Sequence, residues 1–386
     1  MKIQVEILAQ KIKKLNMTKD FIPLHEPTLN GREKDFVIDC IETGWVSSVG
    51  KYVNDFENSL AAYTGVKRAV AVVNGTAALH IALKIVGVEP MDEVLIPSLT
   101  FIATGNAVAY CQAIPHFVDV SSQTLGVDPV KLEAYLRDIS IIKNGACVNK
   151  NTGNRIRAIV PMHTFGHPVN IEPLLAVCAK YQIIVVEDSA ESLGSYYKGV
   201  HTGNFGVVAA MSFNGNKIIT TGGGGAILTN DEELANYAKH LTTTAKVPHQ
   251  WEFVHDEVGY NYRMPNINAA IGCAQLDQLS LFIKNKRKLV HKYEKIIEEV
   301  KGIKLFKEPP FATSNYWLQT LLIDDQKYSL DMVLRTLNEN GVMARPAWTP
   351  LHKLEPYKKC PKSDLSMTEK LVKQIVNIPS SPYLGE

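Results

Sequence analysis

Lys217 stands in a stretch of sequence whose residue types could do chemistry. It follows Ser212 and the run from Phe213 to Asn216, and it precedes two threonines and four glycines that end at Gly225. Twenty-nine positions upstream, Asp188 ends an apolar, β-branched run. A lysine can form a Schiff base with a carbonyl cofactor, and a carboxylate can keep a pyridine nitrogen protonated. The pair predicts a pyridoxal 5'-phosphate site; a solvated lysine and a helix-capping aspartate are the simpler alternatives.

The turn Asn74-Gly75-Thr76 is a candidate phosphate site. It follows a β-branched run at residues 69–73 and precedes a helical pattern at residues 77–83. The first N–H groups of a helix are free to bind an anion, and the helix dipole favours negative charge there. Simple N-capping by Asn74 or Thr76 explains the same residues. The motif G-x-G-x-x-G is absent, so a dinucleotide site is not indicated.

Strand and helix patterns alternate along most of the chain. Strands are expected at residues 69–73, 93–97, 115–119, 157–161 and 183–187, with helices at about 77–83, 100–110 and 171–180. This alternation predicts an α/β fold, with a mostly parallel sheet that helices cover on both faces. The polar stretch 143–155 is expected to form a long loop or a surface insertion, and residues 268–276 and 281–300 two helices.

Three units are expected along the chain because the pattern changes after about Glu252. They are an N-terminal segment at 1–35, a large cofactor-binding α/β domain at 36–250, and a smaller C-terminal α+β domain at 251–386. The last unit mixes short strands, such as residues 318–323, with helices, such as residues 331–340.

Composition narrows the class of protein. A net charge of +2 predicts no attraction to nucleic acid or to a membrane surface, and no apolar run is long enough to span a bilayer. The N-terminus lacks the features of a signal peptide. The six cysteines are scattered without a C-x-x-C pair, which is typical of reduced thiols. We therefore expect a cytoplasmic enzyme.

Five segments occur in the order of one enzyme family. They are Asn74 to Leu79, Pro97 to Thr104, Glu187 to Gly194, Ser212 to Lys217 and Gly259 to Met264. As a set they resemble the DegT/DnrJ/EryC1 family of nucleotide-sugar aminotransferases, and the resemblance covers the chain from about Ile22 to its end. It implies a fold-type I pyridoxal-phosphate enzyme that passes through pyridoxamine phosphate. It also implies a homodimer with shared active sites.

The resemblance assigns roles to individual residues. Lys217 and Asp188 are the expected catalytic pair. The residues expected to bind the cofactor are Gly75, Thr76, Phe101, Asp188, Glu191, Ser212, Lys217 and Asn261. Phe101 is expected to stack on the pyridine ring, and Asn261 to reach the phosphate from the neighbouring subunit. Glu191 stands where many members carry glutamine near the phenolic oxygen, so its carboxyl group must hold a proton or face another partner.

Six further side chains are candidates for contact with substrate or the cofactor pocket: Trp45, His163, Arg263, Tyr316, Trp317 and His352. Core packing is the default for the aromatic residues, and a salt bridge explains Arg263 equally well. His163 and His167 have a spacing that binds metal on a helix. Here Thr-Phe-Gly lies between them and Pro168 follows, which indicates a loop, so we expect no metal site.

The segments Leu24 to Pro27 and Gly44 to Gly50, with Asn214 to Asn216, resemble the legionaminic-acid and bacillosamine branch of the family. This resemblance implies transfer of an amino group from L-glutamate to C4 of a UDP-linked 4-keto-6-deoxy-N-acetylhexosamine. A GDP- or dTDP-linked ketosugar is the alternative substrate. Related sugar 3-dehydratases carry histidine in place of Lys217, which argues against that reaction. A non-catalytic homologue would need neither Asp188 nor Lys217.

Overall fold

The computed structural model describes residues 1–16 and 19–386. Its helices α1 to α11 are, in order, Lys2–Lys13, Glu33–Glu42, Lys51–Thr64, Gly75–Ile85, Ile102–Tyr110, Pro129–Ile139, Ile171–Lys180, Glu232–Thr242, Asn266–Ile297, Leu330–Glu339 and Ser366–Leu371. Its strands β1 to β16 are Arg68–Val72, Glu93–Pro97, Ile114–Val118, Ser140–Lys143, Ala146–Asn149, Ile156–Ile159, Ile184–Asp188, Tyr196–Tyr197, Val200–His201, Val208–Ser212, Gly225–Thr229, Ile303–Leu305, Ala312–Thr313, Gln319–Ile323, Arg345–Pro346 and Ile375–Ile378.

A seven-stranded sheet in the order β1-β11-β10-β7-β6-β2-β3 forms the centre of the molecule. The strands from β10 to β3 pair in parallel, and β11 lies antiparallel between β1 and β10. Every residue of β2 and β11 is buried, because helices cover both faces of the sheet. The mostly parallel sheet confirms the expected α/β class.

Parallel pairing decides where the chemical residues meet. In the register of β7 and β10, Asp188 lies opposite Ala210, two residues before Ser212. β1 runs in the same direction as β10, so the turn that follows it, with Gly75, lies at the same edge. Open α/β sheets bind their ligands at the carboxyl ends of the strands. The fold therefore brings separate sequence segments together at one edge.

Two regions of secondary structure differ in detail from the sequence-based expectations. Of the two alternatives for residues 143–155, the structure fits a surface insertion, since β4 and β5 form a hairpin whose first strand is mostly exposed. Its turn is Asn144-Gly145, both with positive φ, the residue pair that two-residue hairpins prefer. The two helices expected at 268–276 and 281–300 are one helix, α9, whose buried Leu279 continues the apolar face across the expected break.

A second sheet, in the order β12-β14-β16-β15, organises the C-terminal region. Its core includes side chains of α1, among them Val5 and Leu8, which pack with residues of α9 and α10 such as Leu289 and Leu337. The N-terminal helix thus belongs to the core of the C-terminal region. The boundaries at 35 and 250 stay a prediction. None of the described helices is long and apolar enough to cross a membrane.

Candidate active site

A cavity of about 290 Å³ opens where β7 and β10 end. Its wall includes seven of the eight residues expected to bind the cofactor: Gly75, Thr76, Phe101, Asp188, Glu191, Ser212 and Lys217. They come from four segments of the sequence, which the edge of the sheet brings together. Trp317, a candidate for substrate contact, lines the same cavity.

The turn before α4 forms one end of the cavity. Asn74 Oδ1 accepts a hydrogen bond from the backbone N–H of Ala77 at 2.8 Å, so the helix begins at Gly75. Gly75 lies against β10, and a Cβ on it would stand 2.8 Å from the Cβ of Ser212. This close approach places the Ser212 hydroxyl beside the first N–H groups of the helix. Together they offer the donors and the positive dipole that a phosphate group requires.

Asp188 lies inside the cavity and is almost completely buried. Its carboxylate accepts hydrogen bonds from Thr104 Oγ1 at 2.8 Å and from the backbone N–H of Ala190 at 3.2 Å. Burial raises the pKa of Asp188, and these hydrogen bonds with the charge of Lys217 offset only part of that rise. A protonated pyridine nitrogen would supply the positive partner that this carboxylate needs to stay ionised.

Lys217 stands at the mouth of the cavity, with its side chain 13 % exposed. Its Nζ lies 3.2 Å from Glu191 Oε1 and 3.9 Å from the centre of the Trp317 ring. Trp317 also fixes the backbone beside the lysine, because its indole N–H donates to the carbonyl oxygen of Asn216 at 2.6 Å. A carboxylate and an aromatic face therefore hold the amine at one position.

Glu191 is the second buried acid of the cavity. It accepts a hydrogen bond from the backbone N–H of Phe165 at 2.8 Å and pairs with Lys217. Burial raises the pKa of Glu191 to about 7, against the opposing effect of the Lys217 charge. The carboxyl group can thus exchange a proton near neutral pH, which the amide of a glutamine cannot do.

Two aromatic rings form the open side of the cavity. Phe101 precedes α5 and is 49 % exposed, which leaves its face free for a planar ligand. Trp348 lies with its ring centre 6.2 Å from that of Phe101 and 5.0 Å from that of Phe165. The sequence analysis did not identify Trp348. Its only signal is an aromatic residue between two prolines, which is common in loops.

Three expected contact residues do not line this cavity, and the structure gives each of them other partners. His163 is fully buried and bonds Glu187 at 2.9 Å, so it anchors a strand end rather than a ligand. Tyr316 is buried against His167, and its hydroxyl accepts from the backbone N–H of Glu308. His352 is held between Ser98 and Glu369, at 2.7 and 2.9 Å.

The other three expected residues lie outside the cavity, on surfaces of the chain. Trp45 is 57 % exposed and lines a separate groove with Tyr52 and Asn266. Arg263 lines another groove, and its buried Nε makes no hydrogen bond to the part of the chain that the structure describes. Asn261 is exposed and pairs through its backbone with Thr243. Their roles in a neighbouring subunit stay predictions.

The site fits pyridoxal 5'-phosphate. It joins an anion-binding helix terminus, a buried carboxylate that lacks a cationic partner, a lysine and an exposed aromatic face around one cavity. With the mostly parallel sheet, these features define a fold-type I enzyme that depends on this cofactor. The residues that would hold the cofactor are those of the cavity wall, and the cofactor supplies an electron sink when bound.

The chain belongs to the DegT/DnrJ/EryC1/StrS aminotransferase family, whose sequence profile matches residues 27–386. It is 37% identical over 368 residues to the GDP-perosamine synthase of Caulobacter vibrioides, covering 95% of this chain and 94% of the relative. The GDP-perosamine synthase of Vibrio cholerae is 34% identical, over 94% of this chain and 95% of its own. A crystal structure of a family aminotransferase from Brucella abortus has a TM-score of 0.83 at 28% identity, covering 91% of each chain. The protein is therefore a sugar aminotransferase, as the sequence motifs predicted.

Asp188→Asn should raise the stability of the cofactor-free protein and lower the activity of the protein with cofactor. Because burial raises the pKa of Asp188, its ionised form destabilises the cofactor-free fold above the ordinary carboxyl pKa. We expect the cofactor-free variant to be more stable than wild type at pH 8 by about 0.5–2 kcal/mol in urea unfolding. This difference in the free energy of unfolding between variant and wild type should shrink as the pH falls. With cofactor, kcat should drop by at least ~10²-fold; a fully active variant would contradict the role of Asp188.

Glu191→Gln should remove a titration near pH 7. Glu191 is protonated below its pKa of about 7 and ionised above it, so kcat/KM of wild type should change slope there. The amide keeps the shape and a polar contact to Lys217 but cannot titrate, so we expect a profile without that step. Absorbance of the bound cofactor against pH gives a second readout. The exposed Glu172→Gln is the control, and an unchanged profile in Glu191→Gln rules out this role.

Proposed function

We propose that this protein transfers an amino group from L-glutamate to the C4 carbonyl of a nucleotide-linked 4-keto-6-deoxysugar. The observation that carries the proposal is the contact of Lys217 with Glu191, in a cavity shared with Asp188 and the α4 terminus. A scaffold has no use for an amine and two buried carboxyl groups in one cavity, since burying charges costs free energy. Membership of a sugar aminotransferase family supports the substrate class.

In this reaction the chain positions groups and moves protons. The α4 terminus and Ser212 would hold the phosphate of the cofactor, and Asp188 would keep its pyridine nitrogen protonated. Lys217 would take the proton from the α-carbon of the donor and, in the second half-reaction, deliver a proton to C4 of the sugar. Glu191, at 3.2 Å, can take up or supply the proton of the lysine. Trp317 and Trp348 line the cavity in which this exchange would take place.

The nucleotide of the sugar is favoured to be GDP. Three relatives, 34 to 37% identical over 94 to 95% of this chain, are named GDP-perosamine synthases, a name that specifies a GDP-linked amino sugar. This argues against the UDP-linked N-acetylhexosamine that the segments Leu24 to Pro27, Gly44 to Gly50 and Asn214 to Asn216 indicated. The UDP-linked sugar therefore becomes the second candidate, supported by those segments alone.

A panel assay tests the substrate. Purified protein with glutamate should convert a GDP-linked 4-keto-6-deoxysugar to the amine, read by mass, faster than the UDP- and dTDP-linked analogues. Lys217→Ala should lower the rate by ~10²–10⁴-fold or more, because the general acid–base group is lost, whereas Lys198→Ala, on the surface, should not. Turnover of the UDP sugar alone would reverse the nucleotide assignment. Amination of no ketosugar at all would refute the function.

We further propose that the active site is completed by a second copy of the chain. Asn261 is exposed and does not line the cavity of its own chain, yet the family motif assigns it to the phosphate. Exposed apolar side chains, such as Trp45, Val49 and Phe253, are typical of a surface that another chain covers.

Mixed dimers should test this sharing. Lys217→Ala and Asn261→Ala proteins should each be weak enzymes alone. If Asn261 acts across the interface, a dimer with one chain of each kind contains one intact site and one doubly altered site. Dissociating and mixing the two proteins should therefore give mixed dimers with about half the activity of a wild-type dimer. The nearby Glu257→Gln, at another exposed position, is the control for Asn261→Ala. Failure of complementation would place Asn261 outside the partner's site.

A further inference from the structure

A side cavity of about 560 Å³ adjoins the cofactor cavity and shares Asn216, Trp317 and Trp348 with it. Its own polar wall residues include His25 and Arg345. We propose that this side cavity binds a carboxylate of the amino donor, with Arg345 as its cationic partner and His25 as a second hydrogen-bond donor. The inference rests on the proposed function and specifies where the donor, as opposed to the ketosugar, is recognised.

Arg345 is an exposed cation that forms no ion pair with the described part of the chain. In residues 1–16 and 19–386, no carboxylate lies within ion-pair distance of its guanidinium group, whereas Arg155 and Arg287 each pair with an acid at 2.6 to 2.7 Å. The backbone of Arg345 is fixed by its pairing with Asn377 in the second sheet. A guanidinium group on a fixed strand at the cavity wall is well suited to bidentate carboxylate binding.

His25 is an unsatisfied polar group of the same wall. Both ring nitrogens are buried and make no hydrogen bond to the described part of the chain. Burial, with the positive charges of Lys286 and Lys217, holds the pKa of His25 well below its usual range. The ring is therefore neutral and offers one N–H. Leaving such a buried donor unpaired costs free energy, which a bound ligand that accepts its hydrogen bond would recover.

The charges of the two cavities differ in sign. The cofactor cavity contains the acids Asp188 and Glu191, which repel a carboxylate. The wall of the side cavity, as far as the chain is described, includes Arg345 but no aspartate or glutamate. The side cavity therefore attracts anions, and both substrates offer them: the donor through its carboxylates and the nucleotide sugar through its diphosphate. The two half-reactions, measured separately, distinguish these sources.

The side cavity also lies within reach of the reacting amine. Trp317 separates the two cavities, and its ring centre is 3.9 Å from Lys217 Nζ. The carbon that loses its proton to Lys217 is bonded directly to the α-carboxylate in an amino acid. A carboxylate held beside Trp317 would thus keep that carbon near the lysine while the amino group faces the cofactor cavity.

Separate half-reactions test the proposal. For Arg345→Gln we expect the half-saturating glutamate concentration of the donor half-reaction to rise about 10–100-fold, since a hydrogen-bonded charge pair is lost. In the reverse half-reaction, the half-saturating concentration of the nucleotide amino sugar should change by less than about 3-fold, a free-energy difference close to RT. Arg345→Lys should lie between wild type and Arg345→Gln. Arg335→Gln, on the surface of α10, is the matched control.

Glutarate, an unreactive dicarboxylate, gives a readout that needs no turnover. Calorimetric titration should show binding to wild type and about 10-fold weaker binding to Arg345→Gln and His25→Phe. Equal losses in both half-reactions, or unchanged glutarate affinity in Arg345→Gln, would overturn the proposal. If wild type aminates no ketosugar, the proposed function fails, and the glutarate titration still decides whether the side cavity binds a carboxylate.

Discussion

The burial of two carboxyl groups beside one lysine is the constraint on which the rest of the site depends. Asp188 and Glu191 are both withdrawn from water, and burial raises the pKa of each. One ammonium group cannot neutralise two carboxylates, so a second positive charge or a bound proton is needed to stabilise both carboxyl groups in the cavity. A cofactor with a protonated ring nitrogen meets that demand at Asp188. Glu191 remains as a partner that can exchange a proton with Lys217.

Neighbouring side chains on β7 point to opposite faces of the sheet, so Glu187 has a structural role and Asp188 faces the cavity. Asp188 faces the cavity, whereas Glu187 points to the other face and accepts hydrogen bonds from the backbone N–H groups of Gly203, Phe205 and Gly206. Burial would raise the pKa of Glu187, but the hydrogen bond from His163 and those from the loop lower it overall. This anchored glutamate fixes the strand end, and therefore the position of its neighbour Asp188.

Two adjoining cavities of unlike charge suit an enzyme that handles unlike substrates in turn. Trp317 connects them, since it packs on Lys217, binds the Asn216 carbonyl and lines both cavities. The fully buried amine of Lys286 donates to the Trp317 carbonyl at 3.0 Å, and burial holds the pKa of this lysine well below its usual range. The amine donates hydrogen bonds to the carbonyl oxygens of Trp317 and Ser380, and these bonds hold the tryptophan backbone in place.

By itself the sequence determined the family, because five motif segments resemble that family in order, and with the family it determined the cofactor. Local patterns also predicted the pair Asp188 and Lys217: a strand that ends in an acid, a glycine turn before a helix, and a lysine in a polar run. Tertiary structure alone decided which distant side chains share a wall. His163 and Tyr316 are residue types that often occur in active sites, yet both side chains are buried in the core. No local pattern placed Trp348 or Arg345 at a site, and the motif that contains His25 assigned that residue no contact, yet all three line the cavities. The physical reason is that their positions depend on how two sheets and the long helix α9 pack, and that packing joins residues more than a hundred positions apart.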